Sequence, residues 1–330
     1  HKEVVDKRKW IDEEHFLDLV GATSLIPGPN STEMVIHCGY QRGGVAGLFL
    51  AGLSFVIPAC VLTGILAYLY TLAFNIPNFE AYLIGIKPVV LILIFQALQK
   101  LYKKAIKTRD LAIIAIFVFA LGFTIIGEVF ALFIGAIFGY GFLKAESIHS
   151  VTSVSLSAIF WVFLKIGSVL FGSGYVLIAY LQDEVVNRGW LTSAQIADAV
   201  AIGQFTPGPV LSTSTFVGYL LGETSGAVLA SVGIFLPSFI FVLILNPLIP
   251  KMRNSKNFSI LLDCVNAGAL GLMAYALVPL GKIAFFDPTG IVIFIITVLA
   301  VWKFPKLSSI KLVSMGILLG VIATFIKAML

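Results

Sequence analysis

"LIPGPNSTEM", positions 25–34, interrupts an apolar run with Pro27, Gly28 and Pro29 and follows them with four polar residues. "FTPGPVLSTSTF", positions 205–216, repeats the interruption with Pro207, Gly208 and Pro209. Around these two points the chain is internally repeated. "EVVDKRKWIDEEHFLDLVGATSLIPGP" returns as "EVVNRGWLTSAQIADAVAIGQFTPGP", pairing Trp10 with Trp190 and Asp18 with Asp198 at an offset of 180. Past the breaks the register slips to 179, where Gly39 and Tyr40 match Gly218 and Tyr219, Pro58 matches Pro237, and Lys87 matches Asn266. Two homologous halves follow, 1–150 and 151–330.

The medium is set by composition. Hydrophobic residues make up 59% of 330 positions and charged residues 12%, against roughly 45–50% and 25% in soluble domains. Several apolar runs have the roughly 17–25 residues a bilayer-spanning helix needs, and the alternating strands of a barrel are absent. An all-α polytopic membrane protein is expected. The net charge of +5 sits in short clusters between apolar runs, where orientation signals belong, so nucleic acid is not an expected partner. Cys38, Cys60 and Cys264 lack CxxC spacing and read as small core residues; His15, His37 and His149 fit no metal motif. Neither a metal nor a cofactor is expected. Gly135/Gly139 and Gly316/Gly320 read as close helix packing.

The second half opens with an apolar helix near 156–181, ahead of its EVV, whereas the first half starts two residues before its own. Symmetry therefore predicts roughly 30 further N-terminal residues with a spanning helix. If each PGP region dips in and returns, seventeen of the 22 Lys and Arg fall on one side; Arg188, Lys282 and Lys327 fall on the other, and Lys87 and Lys165 lie inside apolar segments. That distribution favours about five spans plus one re-entrant broken helix per half, in inverted orientation.

Unpaired backbone inside a bilayer survives only when buried in protein or lining a wet cavity. With Gly28 as cap and Pro29 in the first turn, a half-helix points the N–H groups of Asn30, Ser31 and Thr32 at the break; the second copy offers those of Val210, Leu211 and Ser212. Helix N-termini attract anions, and interrupted helices meeting near the midplane are a recurring transporter arrangement. Ser31, Thr32, Ser212, Thr213, Ser214 and Thr215 add hydroxyls. Two such ends plus a buried cation suit a small oxyanion, while paired kinks that only shape packing are the structural alternative.

Lys87, beside Pro88, lies within an apolar run; it faces a cavity or partner, or it snorkels to the interface. Asn266 replaces it in the second half, so the site is asymmetric. Lys165 is the second cation candidate. Glu33, matched by Thr213, is either a carboxylate held by the helix dipole or by Lys87, or a proton or cation coupling site that competes with the anion. Asp18 and Asp198 read as scaffold.

The stretches "KRKWIDEEHFLDLVGATSLIPGPNSTEMVIHCGYQRGG", "FVIPA", "GIKPVV", "FGSGYVLIAYLQDEVVNRGWL", "GQFTPGP", "TFVGYLLG" and "VNAGALGL" resemble the chromate transporter (CHR) family of prokaryotic membrane proteins. The likeness covers both halves, except for the family's first helix. The resemblance implies two opposed homologous halves in the cytoplasmic (inner) membrane of a prokaryote and export of chromate, giving resistance, with sulfate as competitor or alternative substrate. The expected partners are chromate or sulfate, a coupling ion, the lipid bilayer and, as an assembly, a second copy of the chain in a homodimer. An anion channel and a chromate reductase are the rival readings; the absence of haem, flavin and Fe–S patterns speaks against the second.

Overall fold

A computed structural model describes residues 2–13, 27–74, 83–121, 154–171, 174–206, 208–245, 256–305 and 307–329, with isolated positions 16, 19, 23, 79 and 123. Pro207, Asp18, His15, His149, the apolar stretch 128–143 with Gly135 and Gly139, and the expected boundary at 150/151 lie outside them. The described elements are all helical: a π-type turn Lys2–Lys7, α1 Asn30–Ala73, a 3-10 turn Leu83–Gly85, α2 Ile86–Ala105, α3 Arg109–Leu121, α4 Leu156–Val169, a 3-10 turn Gly174–Val176, α5 Leu177–Leu181, a π-type turn Gln182–Val186, α6 Ser193–Gly203, a 3-10 turn Val210–Ser212, α7 Thr213–Leu245, α8 Lys256–Ala284, α9 Pro288–Lys303 and α10 Ser309–Met329. Five helical stretches among these residues are long and apolar enough to cross a membrane. The protein is an all-α polytopic membrane protein.

Both long helices double back. In α1 the backbone leaves the helix at Gly43 (φ −144°, ψ 26°) and Gly44 (φ 56°, ψ −143°), separating an outgoing arm, 30–42, from a return arm, 45–73. In α7 the same pair of conformations falls on Gly222 (φ −158°, ψ 33°) and Glu223 (φ 50°, ψ −143°), at the offset of 179. Small residues let the arms touch: a Cβ on Gly39 would strike the Gly47 carbonyl and Ala51, and one on Gly218 would strike the Gly226 carbonyl and Ala230. The Arg8 and Arg42 guanidiniums both sit over the Trp10 ring, at 5.2 and 5.5 Å from its centroid. Trp10 and Arg42, which flank the first PGP break in sequence, are thus brought together.

The return arms of α1 and α7 lie side by side and run antiparallel. Phe49 stacks on Phe239 with ring centroids 5.7 Å apart, and Gly52 also faces Phe239. Further along, Cys60 is within hydrogen-bonding reach of Ser231 and of Thr215. As the first arm advances from 52 to 60, its neighbour recedes from 239 to 231. α4 packs along the α7 return arm, with Gly167 on the Ile234 backbone and Gly233 on the Phe160 and Leu164 backbone, while α8 packs on α2 and α3.

The segment 156–181, expected as one spanning helix, is instead broken. α4 ends at Val169, and the Tyr180 hydroxyl donates to the Val169 carbonyl at 3.0 Å. Lys165 reaches Glu184 at 2.5 Å. In a continuous helix those nineteen residues would separate the pair by about 28 Å, so the chain reverses after Leu170. Gly174 fits the turn because its missing side chain makes room for Val210 and Leu211. Gly316 and Gly320 do pack closely, against the backbone at Gly85.

Two ion pairs tie distant segments at the bundle ends, Lys107 to Asp263 at 2.7 Å and Lys327 to Asp287 at 2.8 Å. Asp287 also caps α9 by accepting from the Thr289 N–H at 2.7 Å. The Lys327 ammonium, followed by Thr289, lowers its pKa to about 2. A carboxylate depressed below its usual value stabilises the fold above pH ~4, and that contribution fades as pH falls towards 2. Lys327 is 57% exposed, which limits the pair to about 1 kcal/mol or less. The difference in thermal midpoint between the wild type and Lys327→Met in detergent should accordingly be small at neutral pH and shrink below pH ~4.

Candidate functional site

Each PGP break is built against the return arm of the other long helix. At the first, Gly28 has φ 141°, a conformation reserved in practice for glycine, and its N–H donates to the Leu170 carbonyl at 2.6 Å. A Cβ there would overlap the Glu33 carboxyl and lie 2.6 Å from the Ser238 hydroxyl. At the second, a Cβ on Gly208 would strike Ala59. Ser238 and Ala59 correspond at the offset of 179, each one residue past a helix proline, Pro237 or Pro58.

The arm register gives the depth of each break. Ser238 lies level with residue 53, nine residues from the Gly44 reversal; Ala59 lies level with residue 232, nine residues from the Glu223 reversal. Nine residues are about 14 Å of helix, close to half the roughly 30 Å hydrocarbon thickness. Six residues, about 9 Å, separate the two breaks along the arms.

Pro29 and Pro209 are themselves the N-cap residues, with extended backbone and no side-chain cap. This places the helix start one residue later than expected. It also corrects the donor set: the Thr32 N–H donates to the Pro29 carbonyl and the Ser212 N–H to the Pro209 carbonyl, both at 2.9 Å. Asn30 and Ser31, and Val210 and Leu211, keep N–H groups with no hydrogen bond among the described residues. The hydroxyls sort likewise. Ser214 donates to the Leu211 carbonyl, Thr215 pairs with Ser231, and Ser212 pairs with Thr206. Thr32 and Thr213 are fully buried with unpartnered hydroxyls among the described residues, and so is Thr63 on the α1 return arm.

The two cations are placed differently. Lys165 pairs with Glu184, which also receives Arg188 at 2.5 Å. Lys87 is half-buried in the first turn of α2 and has no ion pair or hydrogen bond among the described residues. Asn266 is half-buried on α8. Both α2 and α8 pack on α6, the helix that leads into the second break. Asp198 on α6 is buried and accepts from Tyr70 of the α1 return arm at 2.7 Å, a scaffold contact between the two copies. Ser238, Ala59, Thr63 and Tyr70 went unpredicted. The signal for Ser238 was a lone hydroxyl just after Pro237 in an apolar run.

The chain matches the chromate transporter family over residues 1–140 and 157–322. It is 30% identical over 312 residues to a chromate transport protein of Pseudomonas aeruginosa, covering 86% of this chain and 75% of that one. A chromate transport protein of Cupriavidus metallidurans is 28% identical over 348 residues, covering 98% of this chain and 86% of its own. An uncharacterized transporter of Methanocaldococcus jannaschii is 25% identical over 350 residues, with 96% and 87% covered. No solved structure matches. With agreement in both halves and over nearly the whole length, this chain belongs to the chromate transporter family.

Proposed function

We propose that the protein exports chromate, and carries sulfate as an alternative, across the cytoplasmic membrane of a prokaryote by alternating access between two inverted halves, 1–150 and 151–330, and so confers resistance. The observation that carries this reading is the pair of breaks: each lies about 14 Å below its own reversal and has two N–H groups unpaired among the described residues. The antiparallel return arms support the inverted arrangement. So do the Lys107–Asp263 and Lys327–Asp287 pairs, each joining segments that the charge count assigns to one side. The anion is held by the N–H groups of Asn30, Ser31, Val210 and Leu211, the hydroxyls of Thr32 and Thr213, and Lys87 with Asn266 opposite. Glu33 is the coupling site.

The side that carries most of the basic residues is cytoplasmic. An inside-negative potential then favours outward movement of net negative charge, by about 2.3 kcal/mol per elementary charge per 100 mV, which sets the direction. Substrate-competition flux in proteoliposomes under imposed voltage and pH gradients tests the reading. Saturable chromate flux that sulfate inhibits, accelerated by a potential negative on the chromate side, is the expected result. Linear, unsaturable flux would make the protein a channel, and recovery of the chromium in a reduced state would make it an enzyme.

A further inference from the structure

We propose that Glu33 and Ser238 form a proton site that fills when the oxyanion occupies the first break, so that one proton travels with each anion in the same direction. This deepens the transport reading above and rests on it. Glu33 is fully buried, and neither of its carboxyl oxygens has a hydrogen-bond partner among the described residues. The fully buried Ser238 hydroxyl is unpartnered as well. Both groups converge on the Cα of Gly28, where an added Cβ would meet Glu33 Oε1 and Ser238 Oγ. The two groups face each other across Gly28 without a hydrogen bond between them; a proton would make the buried carboxyl neutral and give it an O–H to donate, which the Ser238 hydroxyl can accept.

The second copy lacks the device altogether. Where the first break has Glu33 and Ser238, the second has Ser212 and Thr213 in place of the acid and Ala59 in place of the serine. The acid and its facing serine are absent together, so the pair is not part of the repeat's shared scaffold. Among the described residues no charged side chain takes the proton's place. The α7 return arm carries no titratable residue from 224 to 245, and the α1 return arm carries none from 51 to 56. α4 contributes the Leu170 carbonyl, already bonded to Gly28, and its Lys165 is paired with Glu184. On the outgoing arm, His37 is buried one turn further on and Cys38 is half-buried beside it. A metal cation would want about six oxygen ligands, and one carboxyl with one hydroxyl falls short.

Co-occupancy follows from like charge. The Asn30 and Ser31 N–H groups begin two residues from Gly28, so a dianion held there sits beside the Glu33 carboxyl. An ionised Glu33 would repel it in a medium that screens poorly, whereas the neutral acid would not. When the anion leaves, the helix N-terminus again favours the carboxylate, and the proton leaves with the anion. By linkage, protonation and anion binding promote each other equally.

The test uses the full chain in proteoliposomes with a pH dye inside, in alkaline buffer where chromate is a dianion, with voltage clamped. Chromate entry should acidify the lumen in the wild type without any requirement for sodium. Glu33→Gln should keep exchange of labelled chromate and lose the acidification. Acidification by Glu33→Gln equal to the wild type, a sodium requirement, or a Glu33→Gln protein that binds chromate in a thermal-shift assay but exchanges no label would each overturn the proposal. Should Glu33→Gln not fold, Ser238→Ala decides, through an expected displacement of the pH dependence of chromate binding; an unmoved profile overturns the proposal. A wild type that moves no chromate refutes the transport reading instead, and the proton site is then judged by the pH dependence of binding alone.

Discussion

Gly28→Ala is expected to abolish chromate transport, while Gly208→Ala is expected to impair it and to be rescued by Ala59→Gly. The two glycines occupy the same place in the repeat and differ in their constraints. At Gly28 the φ of 141° excludes any other residue without strain of about 1–3 kcal/mol, and the added methyl overlaps the Glu33 carboxyl and the Ser238 hydroxyl. Relief would need the loop to move, and moving it breaks the Gly28 N–H bond to Leu170. Gly208 is not in a left-handed conformation, and its obstacle is a single methyl, that of Ala59. Overpacking of that kind costs about 1–3 kcal/mol. Ala59→Gly removes the obstacle at a helix-propensity cost of about 1 kcal/mol, so the double variant should recover most of the uptake rate lost by Gly208→Ala. Initial rates of uptake, with thermal midpoints in detergent as a folding control, provide the measurement. Half or more of the wild-type rate in Gly28→Ala would show that the break does not need its present shape.

The register slip shows how far the sequence could be read. Between Pro29 and Gly43 the first copy has one residue more than the second has between Pro209 and Gly222. The structure accounts for it: the second copy starts with the 3-10 turn Val210–Ser212, and three residues at about 2.0 Å rise as far as four at about 1.5 Å. Breaks, repeat and apolar helices were legible because Pro, Gly and hydropathy act locally. The reversal inside 156–181 was not, since the turn depends on Gly174 fitting against Val210 and Leu211, a contact 36 residues away in sequence. Ser238 and Ala59 were hidden for the same reason. Their meaning comes from the glycine that packs on them from the opposite copy, and an apolar helix with one serine has no periodicity to announce it.

Lys87→Ala is expected to lower chromate transport by about 10–100-fold with the protein still folded, whereas Lys165→Ala should leave the rate within about twofold and act on stability. The sequence offered both lysines, Lys87 first and Lys165 second, each inside an apolar run. Lys165 has a counter-charge in Glu184, whose carboxylate is 3% exposed and keeps Arg188 when the lysine is gone. Since Lys165 is 43% exposed and Arg188 48%, solvent screening limits the loss to about 1 kcal/mol. Lys87 has no such partner among the described residues and sits in the first turn of α2. A cation at a helix N-terminus is disfavoured by the macrodipole, so that position is tolerable where an anion visits. The same N-terminus then adds its own attraction for the anion. A charge-assisted hydrogen bond is worth about 1.5–3 kcal/mol, which converts at 1.4 kcal/mol per decade to the stated loss. Lys87→Arg should recover part of it. Undiminished uptake by Lys87→Ala would mean that the side chain only snorkels to the interface, and the anion path would then have to be built from the two breaks alone.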